Sequence, residues 1–289
     1  MKIIHSFMVV ATLLIAAVAH GQSVYSDTYV IPVASHTVGA YGTTWKSDLA
    51  ITNFQSTPLT VQIVVVETGE LSSDNIFPLT TASIDGAVTI AANTTVQLRD
   101  VLNGHRGLQN VSGSLILGGN APFAVTSRSY ASNGGVQSVG QTVTPARDFF
   151  ENATGRNDPT AVAYLTGLTN NASTRTNIGF LAGTGSAAGA TMSVEVTIRG
   201  ANGAVLGRRI VSIPAGNFTH TQFSVSSVTS TPFDIGSAEL RVLQGLGTVV
   251  PYASVIDNAT NSAAYVMGQF PASTALSARR IFASVFEAR

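Results

Sequence analysis

The chain has 289 residues and no cysteine, and Asp, Glu, Lys and Arg make up 10% of it, against roughly a quarter in an average soluble domain. The absence of cysteine excludes disulfides, thiolate metal sites and cysteine nucleophiles. The formal charge is zero and Lys46 is the only lysine after Lys2. The sequence therefore lacks the basic clusters that bind nucleic acid or anionic lipid, and we expect no nucleic-acid partner.

The first 21 residues have the pattern of a secretory signal peptide. Lys2 precedes the apolar stretch 3–19, and a small residue stands at Gly21, where we expect cleavage. A membrane anchor is the alternative interpretation, but polar residues interrupt the apolar stretch. No later segment approaches the roughly 18 apolar residues of a spanning helix. We expect a mature chain that begins at Gln22, has no membrane span and is secreted or held at the cell surface.

The body of the chain alternates apolar and polar residues with a period of two, which is typical of β-strands. The clearest strands are Leu49–Thr52, Val61–Val66, Val88–Ile90 and Val96–Leu98. Clusters of turn residues separate these short strands, and no convincing amphipathic helix occurs between Gln22 and Pro271. This spacing predicts an all-β chain of antiparallel, Ig-like β-sandwiches.

Four segments recur in the same order about 123 to 129 residues later in the chain, which is the size of a whole domain. The matched pairs are Trp45–Ile51 with Thr174–Phe180, Val88–Thr94 with Val211–Asn217, Phe123–Ser127 with Val250–Ser254, and Val139–Gln141 with Met267–Gln269. We expect two tandem sandwich domains. The predicted divisions are a signal peptide over 1–21, domain 1 over 22–146, a charged linker over 147–160, domain 2 over 161–271, and a C-terminal tail or extra strand over 272–289.

The segments 31–37 and 44–53 resemble the opening of uncharacterised secreted β-sandwich proteins of environmental bacteria. In that group the pattern W-x-S-D-L-x-I-x-N opens each domain and a Gly-Gln pair closes it. The resemblance covers most of residues 28–270, although Thr174 and Asn177 replace the tryptophan and the aspartate in the second copy. It implies a tandem Ig-like fold and export. The group has no established activity, so the resemblance implies nothing about catalysis.

Residues suited to catalysis or metal binding are scattered. His36, His105 and His220 stand alone in sequence, without a zinc-site motif beside any of them. We therefore expect no cofactor and no enzymatic activity. Two loops carry enough oxygen ligands to be weak candidates for calcium, Asp257-Asn258 with Asn261, and Asn157-Asp158.

An aromatic ligand platform remains open as a function, because β-sandwiches often bind carbohydrate through exposed aromatic rings. Trp45 is the only tryptophan and Tyr41 lies four residues before it. The alternative is that Trp45 packs in the core or under the preceding loop, because an aromatic residue that opens a strand often buries itself.

A structural or adhesive role is the leading hypothesis, for example as a subunit of an extracellular fibre or coat, with the protein itself or cell-surface components as partners. A surface with little charge repels its copies weakly. Both chain ends carry apolar residues that could add a strand to a neighbouring molecule. These residues are Tyr29, Val30 and Ile31 at one end and Ile281, Phe282, Val285 and Phe286 at the other. The alternative is that each end completes a sheet of its own molecule.

Overall fold

The computed structural model describes residues 26–69, 71–72, 86–133, 136–137, 140–147, 154–155, 162–184, 191–214, 218–245 and 247–270. This part of the chain is nearly all β, with antiparallel sheets, as predicted. None of its helices is long and apolar enough to cross a membrane. The predicted signal peptide, most of the linker, and the tail with Ile281, Phe282, Val285 and Phe286 lie outside the described residues.

Residues 26–147 are here called the N-terminal half, and the described residues of this range form ten strands. They are β1 (Ser26–Val38), β2 (Thr44–Thr52), β3 (Leu59–Glu67), β4 (Leu71–Ser72), β5 (Val88–Ile90), β6 (Thr95–Leu98), β7 (Val111–Asn133), β8 (Val136–Gln137), β9 (Gln141–Val143) and β10 (Ala146–Arg147). A 3-10 turn at Ala40–Gly42 and a π-helical turn at Val101–His105 complete the half.

Residues 154–270 are here called the C-terminal half, and the part of this range that the structure describes forms nine strands and a 3-10 turn at Val225–Ser227. The strands are β11 (Thr154–Gly155), β12 (Val162–Asn170), β13 (Thr174–Thr184), β14 (Met192–Gly200), β15 (Val205–Ile213), β16 (Phe218–Ser224), β17 (Phe233–Gln244), β18 (Gly247–Asp257) and β19 (Ala263–Met267).

The N-terminal half curls toward a barrel because its longest strand belongs to both of its layers. The first part of β7 pairs with β1 and β3, and the second part pairs with β2 and β9. The end of β1 also pairs with β2, so β1, β2 and β7 form a closed ring of strands. The inward residues of these strands, among them Ile31, Leu49, Ile63, Leu117 and Phe123, form one buried core.

Strand β1 is an internal strand of its own molecule. Tyr29 and Val30 pair with Leu117 and Ile116 of β7 on one side and with residues of β10 on the other, and Ile31 pairs with β7. All three residues are buried. The idea that Tyr29, Val30 and Ile31 offer a strand to a neighbouring molecule is therefore wrong for the folded chain, because their backbone groups are already used.

The C-terminal half is a sandwich of two sheets. One has the order β11-β18-β13-β16-β4, with β19 on the other edge of β18, and the second has the order β12-β17-β14-β15. Phe180, Val196, Leu240 and Ala253 belong to the buried core between them. Strand β4 comes from the N-terminal half and pairs with the start of β16, so the halves share a sheet.

The same strand pairings occur in both halves. Six strand pairings of the N-terminal half have counterparts in the C-terminal half. The pairings in the N-terminal half are β1–β7, β2–β7, β2–β6, β3–β7, β3–β5 and β7–β9. Their counterparts, in the same order, are β12–β17, β13–β18, β13–β16, β14–β17, β14–β15 and β18–β19. The single strand β7 thus corresponds to β17 and β18 together.

Of two of the sequence matches, one is structurally equivalent in the two halves and the other is not. The matched segments that open β2 and β13 have the same inward positions, with Ser47 and Leu49 buried like Thr176 and Ile178. The two Gly-Gln pairs are not equivalent. Gln141 lies within a ladder opposite Ser129, whereas Gln269 follows β19 and its backbone bonds to Tyr164 in the other sheet.

The halves pack face to face over a buried, largely apolar interface. Leu181 and Val250 lie on the face of their sheet that points away from the C-terminal core, and they pack on Val30, Val64 and Ile116. Tyr252, on the same face, is fully buried and belongs to the core cluster of the N-terminal half. The C-terminal half therefore completes the core of the N-terminal half.

Candidate ligand-binding cleft

A cavity of about 280 Å³ lies between the two halves, beyond the apolar part of their interface. Its lining includes Ser35, Ser129 and Gln141 from the N-terminal half and Asn177, Gln222 and Ser254 from the C-terminal half. Val38 also lines the cavity and is 71% exposed, so the cavity reaches the protein surface there. We call this cavity the cleft.

Strand alternation explains why polar side chains of the C-terminal half reach the cleft. Successive residues of a strand point to opposite faces of the sheet. Ile178 and Ala253 face the C-terminal core, so Asn177 and Ser254 beside them face the N-terminal half. The positions in β13 that match Lys46 and Asp48 of β2 are Arg175 and Asn177, and both line the cleft.

Trp45 lines the cleft and is half-buried, outside the core clusters. The indole packs closely against Gly39, where a side chain would not fit, because a Cβ atom there would stand 2.8 Å from Cδ1 of Trp45. Trp45 therefore lies against the segment that precedes its strand, and it is not a member of a core cluster. Tyr41 lies in the turn Ala40–Gly42, and its side chain is outside the described part of the structure.

Hydrogen bonds hold the polar wall of the cleft in place. Gln141 donates from Nε2 to Oγ of Ser254 across the two halves, at 3.0 Å. Its Oε1 is buried and has no hydrogen-bond partner among the described residues. Ser47 and Ser129 share a hydrogen bond of 2.7 Å, and the backbone N–H of Ser35 donates to Ser47 at 2.9 Å.

Among the described residues that line the cleft, Arg175 is the only charged one. It donates to Oδ1 of Asn258 at 2.8 Å and to Oδ1 of Asn261 at 2.9 Å. These are two of the oxygens considered for calcium, and a guanidinium already occupies them. The carboxylate of Asp257 accepts bonds from Thr260 and Ala259, and the Thr260 bonds are the main reason that its pKa is lowered.

The calcium hypothesis is therefore wrong for the loop 257–261, because its amide oxygens serve the fold. The other candidate loop, Asn157-Asp158, lies outside the described residues. Within the described ranges, no three His, Asp or Glu side chains are grouped in a way that could hold a metal ion.

A charged cluster lies at the start of the π-helical turn. His36 contacts Asp100 through Nδ1 at 2.8 Å, and Nζ of Lys46 lies 3.2 Å from the same carboxylate. The backbone N–H of Asp100 donates to Asp48, which also accepts from Tyr130. Burial raises the pKa of Tyr130 to about 12, with a further contribution from Asp48.

Asp100 was not singled out in the sequence, although it organises this cluster. Its φ is +49°, a left-handed conformation that Asp tolerates better than most residues. The cluster ties the turn to β1 and β2, which gives Lys46 and Asp48 a structural role.

His220 lies at the interface of the halves and is fully buried. Its Nε2 is 2.8 Å from the hydroxyl of Tyr252, and its Nδ1 is 2.7 Å from Oγ1 of Thr68 in the N-terminal half. Burial lowers the pKa of His220 to about 3. The third histidine, His105, contacts the carbonyl of Gly86 at 3.1 Å. The three histidines thus have separate surroundings.

No known family model matches the chain, and no curated protein matches its sequence. Two solved structures are similar at a low level. A β-glucuronidase of Bacteroides uniformis has 9% identity over 78% of this chain and 24% of its own, with a TM-score of 0.19. A calcium-binding mutant of β-glucuronidase 2 from the same organism has 10% identity over 82% of this chain and 27% of its own, also with a TM-score of 0.19. The chain spans about a quarter of the length of these enzymes, and so low a TM-score carries no argument about fold or activity.

Proposed function

We propose that the protein is a secreted, non-enzymatic structural or adhesive component made of two tandem Ig-like β-sandwich domains, over 22–146 and 161–271. The observation that carries this proposal is the buried interface in which Tyr252 of the second half enters the core of the first. The recurrence of the same strand pairings in both halves supports the duplication. The signal-like first 21 residues support a place outside the cytoplasm.

The interface suits a protein that bears load. Domains that meet through small, polar interfaces move relative to each other, whereas large apolar interfaces hold them together. Here an apolar cluster around Val250 continues into the hydrogen bonds of His220 with Thr68 and Tyr252. A body of this kind transmits force without bending between its halves.

The outer face of the four-stranded sheet is a surface through which copies or cell-surface components could associate. It carries exposed apolar side chains on three of its strands. These residues are Ile235 (66% exposed), Ile210, Leu243, Val205 and Tyr164. The chain has few charges that would repel a second copy. Addition of the C-terminal segment around Ile281 and Phe286 to a neighbour remains part of the proposal.

Light scattering and negative-stain microscopy of the mature chain from Gln22 test the structural version. We expect concentration-dependent assembly that Ile235→Lys weakens and that Phe54→Lys, at an exposed position outside this sheet, leaves unchanged. A monomer at every concentration and salt level would exclude the assembly of copies of this chain into a fibre or coat. Binding of the labelled monomer to bacterial cells would then test adhesion separately.

A ligand-binding module is a second candidate function. It is favoured by the position of Trp45 in a polar cleft to which both halves contribute.

A further inference from the structure

We propose that the cleft binds a neutral sugar residue, such as the end or a branch of an extracellular polysaccharide. This inference deepens the second candidate function and rests on it. It places the binding site between the halves, where the β-strands of both contribute, instead of on loops at the end of one sandwich.

The charge of the cleft selects against ionic ligands. The described residues of its lining include no Asp or Glu, so they offer no carboxylate to a cation. The one cation, Arg175, already donates to the amide oxygens of Asn258 and Asn261. A negatively charged ligand would have to compete with these bonds, whereas a neutral ligand would not.

The polar groups of the lining are amides and hydroxyls, which both donate and accept hydrogen bonds. Sugar hydroxyls do the same. Gln222 and Asn177 present two amides from neighbouring strands, and Ser35 presents a hydroxyl from the facing half. Gln141 adds a buried acceptor, Oε1, that has no partner in the described structure. An unpaired buried acceptor is costly, so a ligand hydroxyl that reached it would bind favourably.

Trp45 supplies the apolar surface that a sugar also needs. Trp45 is half-buried and lies in the lining of the cleft. Aromatic rings offer a large, rigid apolar surface with a polar tip. The volume of about 280 Å³ is near the lower end of small-ligand pockets, which start at roughly 300 Å³. It suits a single sugar residue better than a chain lying along its length.

The cleft is formed before a ligand arrives. The bond between Gln141 and Ser254 joins its two walls, and the bonds of His220 with Thr68 and Tyr252 fix the halves beside it. A preformed site loses less conformational entropy on binding than a flexible one.

The fluorescence of the single tryptophan provides a direct test, because excitation selective for tryptophan reports on Trp45 alone. The mature chain is titrated with neutral monosaccharides and with oligosaccharides of glucose, mannose and galactose. Uronic acid oligosaccharides form a separate arm of the titration. We expect a saturable change in emission with at least one neutral sugar, unaffected by salt because no ionic contact forms. The absence of any change with neutral sugars would overturn the proposal, as would binding restricted to uronic acids and reversed by salt.

Variants then locate the site by calorimetry. We expect Gln222→Ala to weaken binding about fivefold, the effect of one neutral hydrogen bond, and Trp45→Ala to weaken it about thirtyfold. Phe54→Ala, at an exposed aromatic residue outside both the cleft and the four-stranded sheet, is the matched control and should bind normally. Circular dichroism checks that each variant is folded. If both cleft variants bound sugar as the wild type does, the sugar site would not be the cleft. A ligand-binding function with its site elsewhere on the protein would still be compatible with that result. Assembly and cell adhesion are measured separately, so their failure would not affect this result.

Discussion

His220 and Tyr252 are joined by a hydrogen bond of 2.8 Å between two side chains that are both fully buried. They lie on β16 and β18, the two neighbours of β13. The hydroxyl of Thr68 donates to the carbonyl of Ser112, so it accepts from Nδ1–H of the imidazole. The Tyr252 hydroxyl then donates to Nε2. This arrangement requires a neutral imidazole, which agrees with its lowered pKa.

The stability of the protein should fall as the pH is lowered from about 6.5 toward about 3. The unfolded chain binds a proton on His220 near pH 6.5, whereas the folded chain does so only near pH 3. Within that window protons favour the unfolded state, by up to roughly 1.4 kcal/mol per pH unit. Urea unfolding of the wild type and His220→Gln across this range measures the effect. The variant should show a shallower dependence on pH, and His105→Gln should match the wild type. Equal slopes in His220→Gln and the wild type would contradict the prediction.

Gly179→Ala should destabilise the fold by about 1–3 kcal/mol, the usual cost of overpacking. A Cβ atom there would stand within van der Waals overlap of the Tyr252 ring, which lies across this position between β16 and β18. Gly200→Ala is the control, because its Cβ would meet its nearest neighbour at 3.4 Å. Chemical denaturation gives both values. If the two variants were equally stable, Tyr252 would not lie over Gly179.

Tyr252→Phe should cost about 1–3 kcal/mol, because it leaves Nε2 of His220 without its donor in a buried place. Tyr252→Ala should cost about 3–5 kcal/mol, since it also opens a cavity in the core of the N-terminal half. In each variant calorimetry should still show a single transition, because the halves share this core. Two separate transitions in the wild-type protein would show that the halves unfold independently.

Asp100→Asn should destabilise the protein by about 1–2 kcal/mol at low salt and by less at high salt. Asparagine keeps the left-handed backbone but removes the charge that pairs with His36 and Lys46. Asp100→Ala should cost about 1 kcal/mol more, because alanine is unfavourable at this φ. Thermal unfolding at two salt concentrations separates the contribution of the charge from that of the backbone conformation. A salt-independent loss in Asp100→Asn would assign the effect to geometry instead of charge.

The period-two pattern predicted the all-β architecture and antiparallel sheets because alternation reports directly on which face of a strand is buried. Burial of Leu49 and Ile178 at matched positions follows from it. The pattern does not distinguish an internal strand from an edge strand, so it is compatible with pairing of Tyr29–Ile31 either within the molecule or with a neighbour. Pairing depends on distant residues such as Leu117, and alternation carries no information about the partner.

The cleft could not have been located from the sequence, because it arises where two distant segments face each other. The sequence predicts Trp45 as a candidate ligand contact, but it does not decide between an exposed aromatic platform and a buried position in the core or under the preceding loop. Asn177, which departs from the aspartate of the first copy, was the one available signal. Where Asp48 supports the turn at Asp100, the matching Asn177 faces the other half. Such a change of residue type between copies indicates a change of surroundings.

The contribution of Tyr252 to the core of the N-terminal half affects the order of events during synthesis. Ribosomes make the N-terminal half first, and the strand that fills its open side emerges more than a hundred residues later. Until then that half exposes apolar surface to other chains. The N-terminal half therefore cannot complete its own core until the chain has been made at least as far as Tyr252.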